Sequence, residues 1–75
     1  MGKLPRDISG RQVVTALGRI GFHVLHQKGS HIIMRRDEPA KATISVPNHP
    51  RIRIGTLRAI LHQAGLEVDR FMDLL

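Results

Sequence analysis

The side chains that could do chemistry in this chain are its histidines, because imidazole accepts and donates protons near neutral pH. There are five of them: His23, His26, His31, His49 and His62. Other reactive groups are scarce. The chain has no cysteine, which excludes disulfides and Cys-ligated zinc. It also has neither a glycine-rich phosphate loop nor a serine elbow, and its six acids are confined to turns and one end.

His31 is the best candidate for a general acid or base. It follows a predicted tight turn at Lys28, Gly29 and Ser30, and it opens an apolar strand that ends in two arginines. This position would fix the backbone by strand pairing and leave the ring near solvent, as proton transfer to a ligand requires. Taken alone, the pattern also fits an exposed histidine with no role.

Cations flank this histidine in the sequence, at Lys28, Arg35 and Arg36. They would hold a phosphate and stabilise the charge that develops on phosphorus. A neutral imidazole beside an RNA backbone would activate the 2′-hydroxyl. The Ser30 hydroxyl is expected to bond either the turn or a phosphate.

The other histidines give weaker indications. His49 lies in a Pro-Asn-His-Pro loop, where it could contact RNA, cap the next helix or only shape the loop. His23 and His26 are predicted to point to opposite faces of a strand, which argues against a metal site. His62 lies off the apolar stripe of its helix and is expected to be solvated surface. We predict neither a metal nor another cofactor.

Charge indicates the kind of partner. The net charge is +6, the pI is near 11.5, and residues 8–36 and 39–66 contain no acid. A field this positive is typical of proteins that bind nucleic acid; charge that serves only solubility is the alternative. Because no apolar run reaches about 18 residues and no signal peptide begins the chain, we expect a cytoplasmic protein without membrane contact.

The hydrophobic pattern predicts the elements that position these residues. Ser9 and Gln12 form a capping box that starts a helix over residues 10–20, which Gly21 ends. Strands are predicted over 22–27, 31–36 and 41–46. A second helix runs from Gly55 or Thr56 to Gly65, and a short last helix covers 68–75. The predicted class is α+β: a single domain, residues 1–75, in the order α-β-β-β-α-α, with helices over one face of a three-stranded antiparallel sheet.

Finer predictions concern which side chains face the core. Alternation favours Ile32 and Met34 in the core with Ile44 and Val46, which leaves His31, Ile33 and Arg35 on the open face. Met72 is expected in the core as well, in a last-helix stripe with Val68, Phe71 and Leu75. Gly18 is interpreted as a site of close packing against the sheet.

Three motifs, in order, carry a family resemblance: GFHVLHQKGSHIIMRR, ISVPNH and GTLRAILHQAGL. Together, from about Ile8 to Phe71, they resemble the HicA family of small toxins from bacterial toxin–antitoxin modules. The resemblance implies a fold like a double-stranded-RNA-binding domain and ribosome-independent cleavage of mRNA. It also implies that the catalytic histidine is that of the Gly-Ser-His motif, and that a HicB antitoxin covers this histidine and the basic surface around it.

The resulting hypothesis is a type II toxin acting as an mRNA interferase, an endoribonuclease. His31 would be catalytic, and the RNA-binding residues would be Lys28, Gly29, Ser30, Arg35, Arg36 and His49. The alternatives are a non-catalytic RNA-binding module, an inactive solitary toxin-like protein, and a protein whose only partner is another protein. Affinity for RNA that falls with salt would favour the nucleic-acid interpretations.

Overall fold

A computed structural model of the protein describes residues 3–75. Its elements are α1 (Gly10–Gly18), β1 (His23–Lys28), β2 (His31–Arg36), β3 (Ala42–Pro47), α2 (Ile54–Ala64) and α3 (Val68–Leu74). This order confirms the predicted α+β class. It is also compatible with a fold like a double-stranded-RNA-binding domain.

The predicted capping box starts α1. The Ser9 hydroxyl accepts from the Gln12 backbone N–H at 3.1 Å, and the Gln12 side chain accepts from the Ser9 N–H at 2.9 Å. The helix ends two residues earlier than predicted, because the chain passes through a turn to Gly21, whose φ is +97°. The interpretation of Gly18 was wrong, since a β-carbon there would meet nothing within 4 Å.

The three strands form an antiparallel sheet in the order β1-β2-β3. β1 and β3 each begin and end one residue later than predicted, because Lys28 and Pro47 both pair with His31. The hairpin turn therefore consists of Gly29 and Ser30 alone, and Gly29 adopts φ +59°. A turn position with left-handed backbone geometry in a two-residue hairpin favours glycine, because glycine has no β-carbon to clash.

Alternate residues of β2 and β3 enter the core. Ile32, Met34, Ile44 and Val46 are all buried, which confirms the predicted alternation. They pack against α1, α2 and α3, so the helices cover one face of the sheet and leave the other to solvent.

The last two helices differ in detail from the sequence-based prediction. α2 begins at Ile54, and Gly65 ends it in the left-handed conformation at φ +66°. In α3 the buried residues are Phe71 and Leu74, so the predicted core stripe was wrong at Met72 and Leu75. Met72 is 39% exposed because the helix turns its i, i+3 pair inward. Among residues 3–75, no helix is long and apolar enough to cross a membrane.

Candidate nucleic-acid interface

The solvent-facing side of the sheet, called the open face below, consists of three rows of paired residues. Paired residues project to the same face, and the alternate residues of β2 and β3 face the core. The rows are Lys28–His31–Pro47, His26–Ile33–Ser45 and His23–Arg35–Thr43.

His31 is the first residue of β2 and is exposed at the edge of this face. Its strand neighbours are Lys28 on one side and Pro47 on the other. Just beyond, the Asn48 N–H donates to the Ser30 carbonyl at 2.7 Å, which ties the loop after β3 to the hairpin turn. Pairing on both sides fixes the backbone of His31, while its ring remains accessible.

The start of α1 supports the loop that carries His49. The Gly10 N–H donates to the His49 carbonyl at 2.9 Å. A β-carbon on Gly10 would lie only 2.0 Å from the Pro47 carbonyl oxygen, so only glycine allows this approach. The loop is thus held between α1 and the hairpin turn, with the His49 side chain exposed.

A β-bulge in β1 changes the face of one histidine, His23, relative to the other, His26. The register shifts between Val24 and His26, so Leu25 is the extra residue. His23 pairs with Arg35 and His26 with Ile33, which brings both histidines to the open face. The prediction that they point to opposite faces was wrong, because it assumed a regular strand.

The open face carries positive charge and no acid from the strands, since none of the three contains Asp or Glu. Its permanent cations are Lys28 and Arg35. Arg35 donates from Nε to the Asp37 carboxylate at 3.0 Å, with the two side chains 42% and 56% exposed. An exposed pair of this kind contributes at most about 1 kcal/mol. A phosphate can therefore compete for the guanidinium.

Comparison with known families decides the identity of the chain. Residues 10–66 match the family model described as the HicA toxin of bacterial toxin–antitoxin. The chain belongs to the HicA toxin family. The matched region contains the whole open face, the His49 loop and α2. Membership implies a partner antitoxin. The comparison with curated proteins gives no match.

One predicted RNA-binding residue of this HicA toxin lies elsewhere. Arg36 points to the covered side, where its Nη2 donates to the Ala64 carbonyl at 3.2 Å and its Nη1 to the Ile20 carbonyl at 3.5 Å. Its guanidinium carbon lies 4.5 Å from the centroid of the Phe22 ring. The prediction that Arg36 contacts RNA is therefore corrected. Alternation already indicated it, because Arg36 has the same parity as Ile32 and Met34.

The structure thus brings Lys28, Gly29, Ser30, His31 and Arg35 to the open face or its rim and sets His49 beside them. Sequence reasoning missed His26 as a member of this surface. Its side follows from the two-residue turn, because His26 has the same parity as Lys28, which pairs with His31. The bulge at Leu25 moves His23 instead. Within residues 3–75, no group of three or more His, Cys, Asp or Glu residues could hold a metal ion.

Proposed function

We propose that this HicA toxin is an mRNA interferase, a ribosome-independent endoribonuclease, with His31 as its catalytic residue. The observation that carries the proposal is the placement of an exposed histidine beside Lys28, on a face whose strands contain no acid, in a chain of this family. Proton transfer needs a held but accessible group, and phosphate binding needs an unopposed cation.

The proposed chemistry starts at the 2′-hydroxyl. His31 accepts its proton, and the oxygen attacks the adjacent phosphorus. Lys28 and Arg35 stabilise the phosphate charge. Gly29 offers the approaching backbone open space, because nothing lies within 4 Å of where its β-carbon would be. The Ser30 hydroxyl and the His49 ring are the remaining contacts that we assign to RNA.

Recognition in this proposal depends on phosphates and shape more than on bases. The chain has no Trp or Tyr, and its two phenylalanines, Phe22 and Phe71, are 4% and 0% exposed. Neither can stack on an unpaired base, which is the usual platform for reading single-stranded RNA. Phosphate contacts carry little sequence information, so we expect broad cleavage preferences.

The partner antitoxin would be a HicB-type protein that covers His31. A basic face favours an acidic partner surface, and covering this face would exclude RNA. The site of action would be the cytoplasm, where mRNA is present.

Controlled expression in a bacterial host tests the proposal. Wild-type protein is expected to arrest growth, co-expression of the antitoxin encoded beside it should restore growth, and His31→Ala should be harmless at equal expression. His62→Ala, on the outer side of α2, is the matched control and should still arrest growth. Arrest by His31→Ala would refute its catalytic role, and wild-type expression without arrest would refute the toxin activity.

A further inference from the structure

Cleavage of RNA through its 2′-hydroxyl needs two proton transfers. One group removes the proton of the 2′-hydroxyl as O2′ bonds to phosphorus, and another gives a proton to O5′ as the P–O5′ bond breaks. The products are a 2′,3′-cyclic phosphate and a 5′-hydroxyl, and each histidine regains its first protonation state by exchange with water. His31 supplies one transfer in the proposed function, which leaves the second without a donor.

The register of the β1–β2 hairpin places a second imidazole beside His31. His26 pairs with Ile33, and Lys28, two residues further on, pairs with His31. His26 and His31 are therefore diagonal neighbours on adjacent strands, with Cα atoms about 7–8 Å apart. Long side chains can reach a shared ligand across such a diagonal. His26 and Lys28 alternate regularly, so the position of His26 follows from the hairpin turn and does not depend on the bulge.

The other groups near His31 fit this role less well. His23 pairs with Arg35, four residues along β2 from His31, which is roughly 13 Å at the usual rise per residue. His49 lies in the loop beyond the end of β3, with its carbonyl bonded to Gly10. Lys28 and Arg35 suit phosphate binding as permanent cations, and an arginine cannot release its proton in a protein.

We infer that His26 is the second proton-transfer group, the general acid that protonates the leaving 5′-oxygen, an inference that rests on the proposed function. His26 is an exposed residue of the edge strand, and its pairing with Ile33, one row from the Lys28–His31 pair, places it on the face that carries His31. His31 and His26 would then flank the scissile phosphate, as base and acid.

Leaving-group chemistry tests this assignment. The substrates are a short RNA with its cleavage site mapped using wild-type protein, and the same RNA with sulfur in place of the 5′-bridging oxygen at that site. A thiolate leaves without a proton. His26→Ala and His26→Gln should cut the normal RNA about 10²–10⁴-fold more slowly than wild type. On the sulfur-substituted RNA they should recover to within about tenfold of wild type, whereas His31→Ala should not recover.

Controls separate this inference from the proposed function. His62→Ala should match wild type on both RNAs, and His23→Ala should lose far less activity than His26→Ala. Full activity of the His26 variants on normal RNA would overturn the inference alone. Loss without recovery on the sulfur RNA would make His26 a binding residue, and recovery of His31→Ala instead would reverse the roles, so either result overturns the assignment. Wild-type protein that cuts no RNA in the mapping step would overturn the proposed function as well.

Discussion

The two faces of the sheet are built from the same strands and have opposite compositions. On the covered face, Ile32 and Met34 pack against the helices. The Arg36 guanidinium on the same face donates hydrogen bonds to backbone carbonyls and lies over an aromatic ring. On the open face, His31 and Arg35 keep their polar groups available to a ligand. Only the parity of each residue decides its role, because successive side chains of a strand project to opposite faces.

Stability and proposed activity are therefore separable in this small toxin. Substitutions on the covered face should destabilise the protein without altering its chemistry. Substitutions on the open face should reduce its activity and leave its stability nearly unchanged. Since a domain of this size has a thin stability margin, moderate losses should be easy to measure.

The largest effect is expected from the adjacent pair Met34 and Ile33. Met34 is 1% exposed, and Met34→Ala should lower the free energy of unfolding by about 2–5 kcal/mol through the cavity it leaves. Ile33→Ala, on the open face, should cost well under half as much. Chemical denaturation measures both, and equal losses would refute the division between the faces.

The adjacent arginines should give the next largest effect. Arg36→Ala removes hydrogen bonds from a charged donor and a cation–π contact, so we expect a loss of about 1.5–3 kcal/mol in unfolding free energy. Arg36→Lys should recover only part of it, because an ammonium cannot bridge both carbonyls. Arg35→Ala should change stability by less than about 1 kcal/mol but reduce the salt dependence of RNA binding by about one unit of slope. A stable Arg36→Ala protein with weakened RNA binding would contradict the account.

Sequence reasoning recovered the elements and most of the open face because these follow from local rules. The Ser9–Gln12 capping box, the turn at Gly29 and the alternation in β2 depend only on neighbouring residues. The bulge at Leu25 and the exposure of Met72 depend on strand register and helix rotation, which tertiary packing sets. Arg36 is a different case, since strict use of parity would have placed it correctly.

The smallest expected stability changes concern the two glycines of α1. Gly10→Ala should destabilise the protein by about 1–3 kcal/mol, because its methyl group would overlap the Pro47 carbonyl oxygen. Gly18→Ala meets open space and should stabilise the helix by up to about 1 kcal/mol. Thermal unfolding of both variants measures the difference, and a neutral Gly10→Ala would show that the loop beside His31 does not depend on this contact.

The catalytic role of His31 can be measured as cleavage of an end-labelled RNA by purified protein, without ribosomes. Wild type and His31→Ala are compared at equal concentration, after thermal unfolding has shown equal stability. We predict that wild type cuts the RNA and that His31→Ala is slower by about a hundredfold or more. Equal cleavage by the two proteins, or intact RNA with both, would contradict the assignment of His31 as the catalytic residue of this toxin.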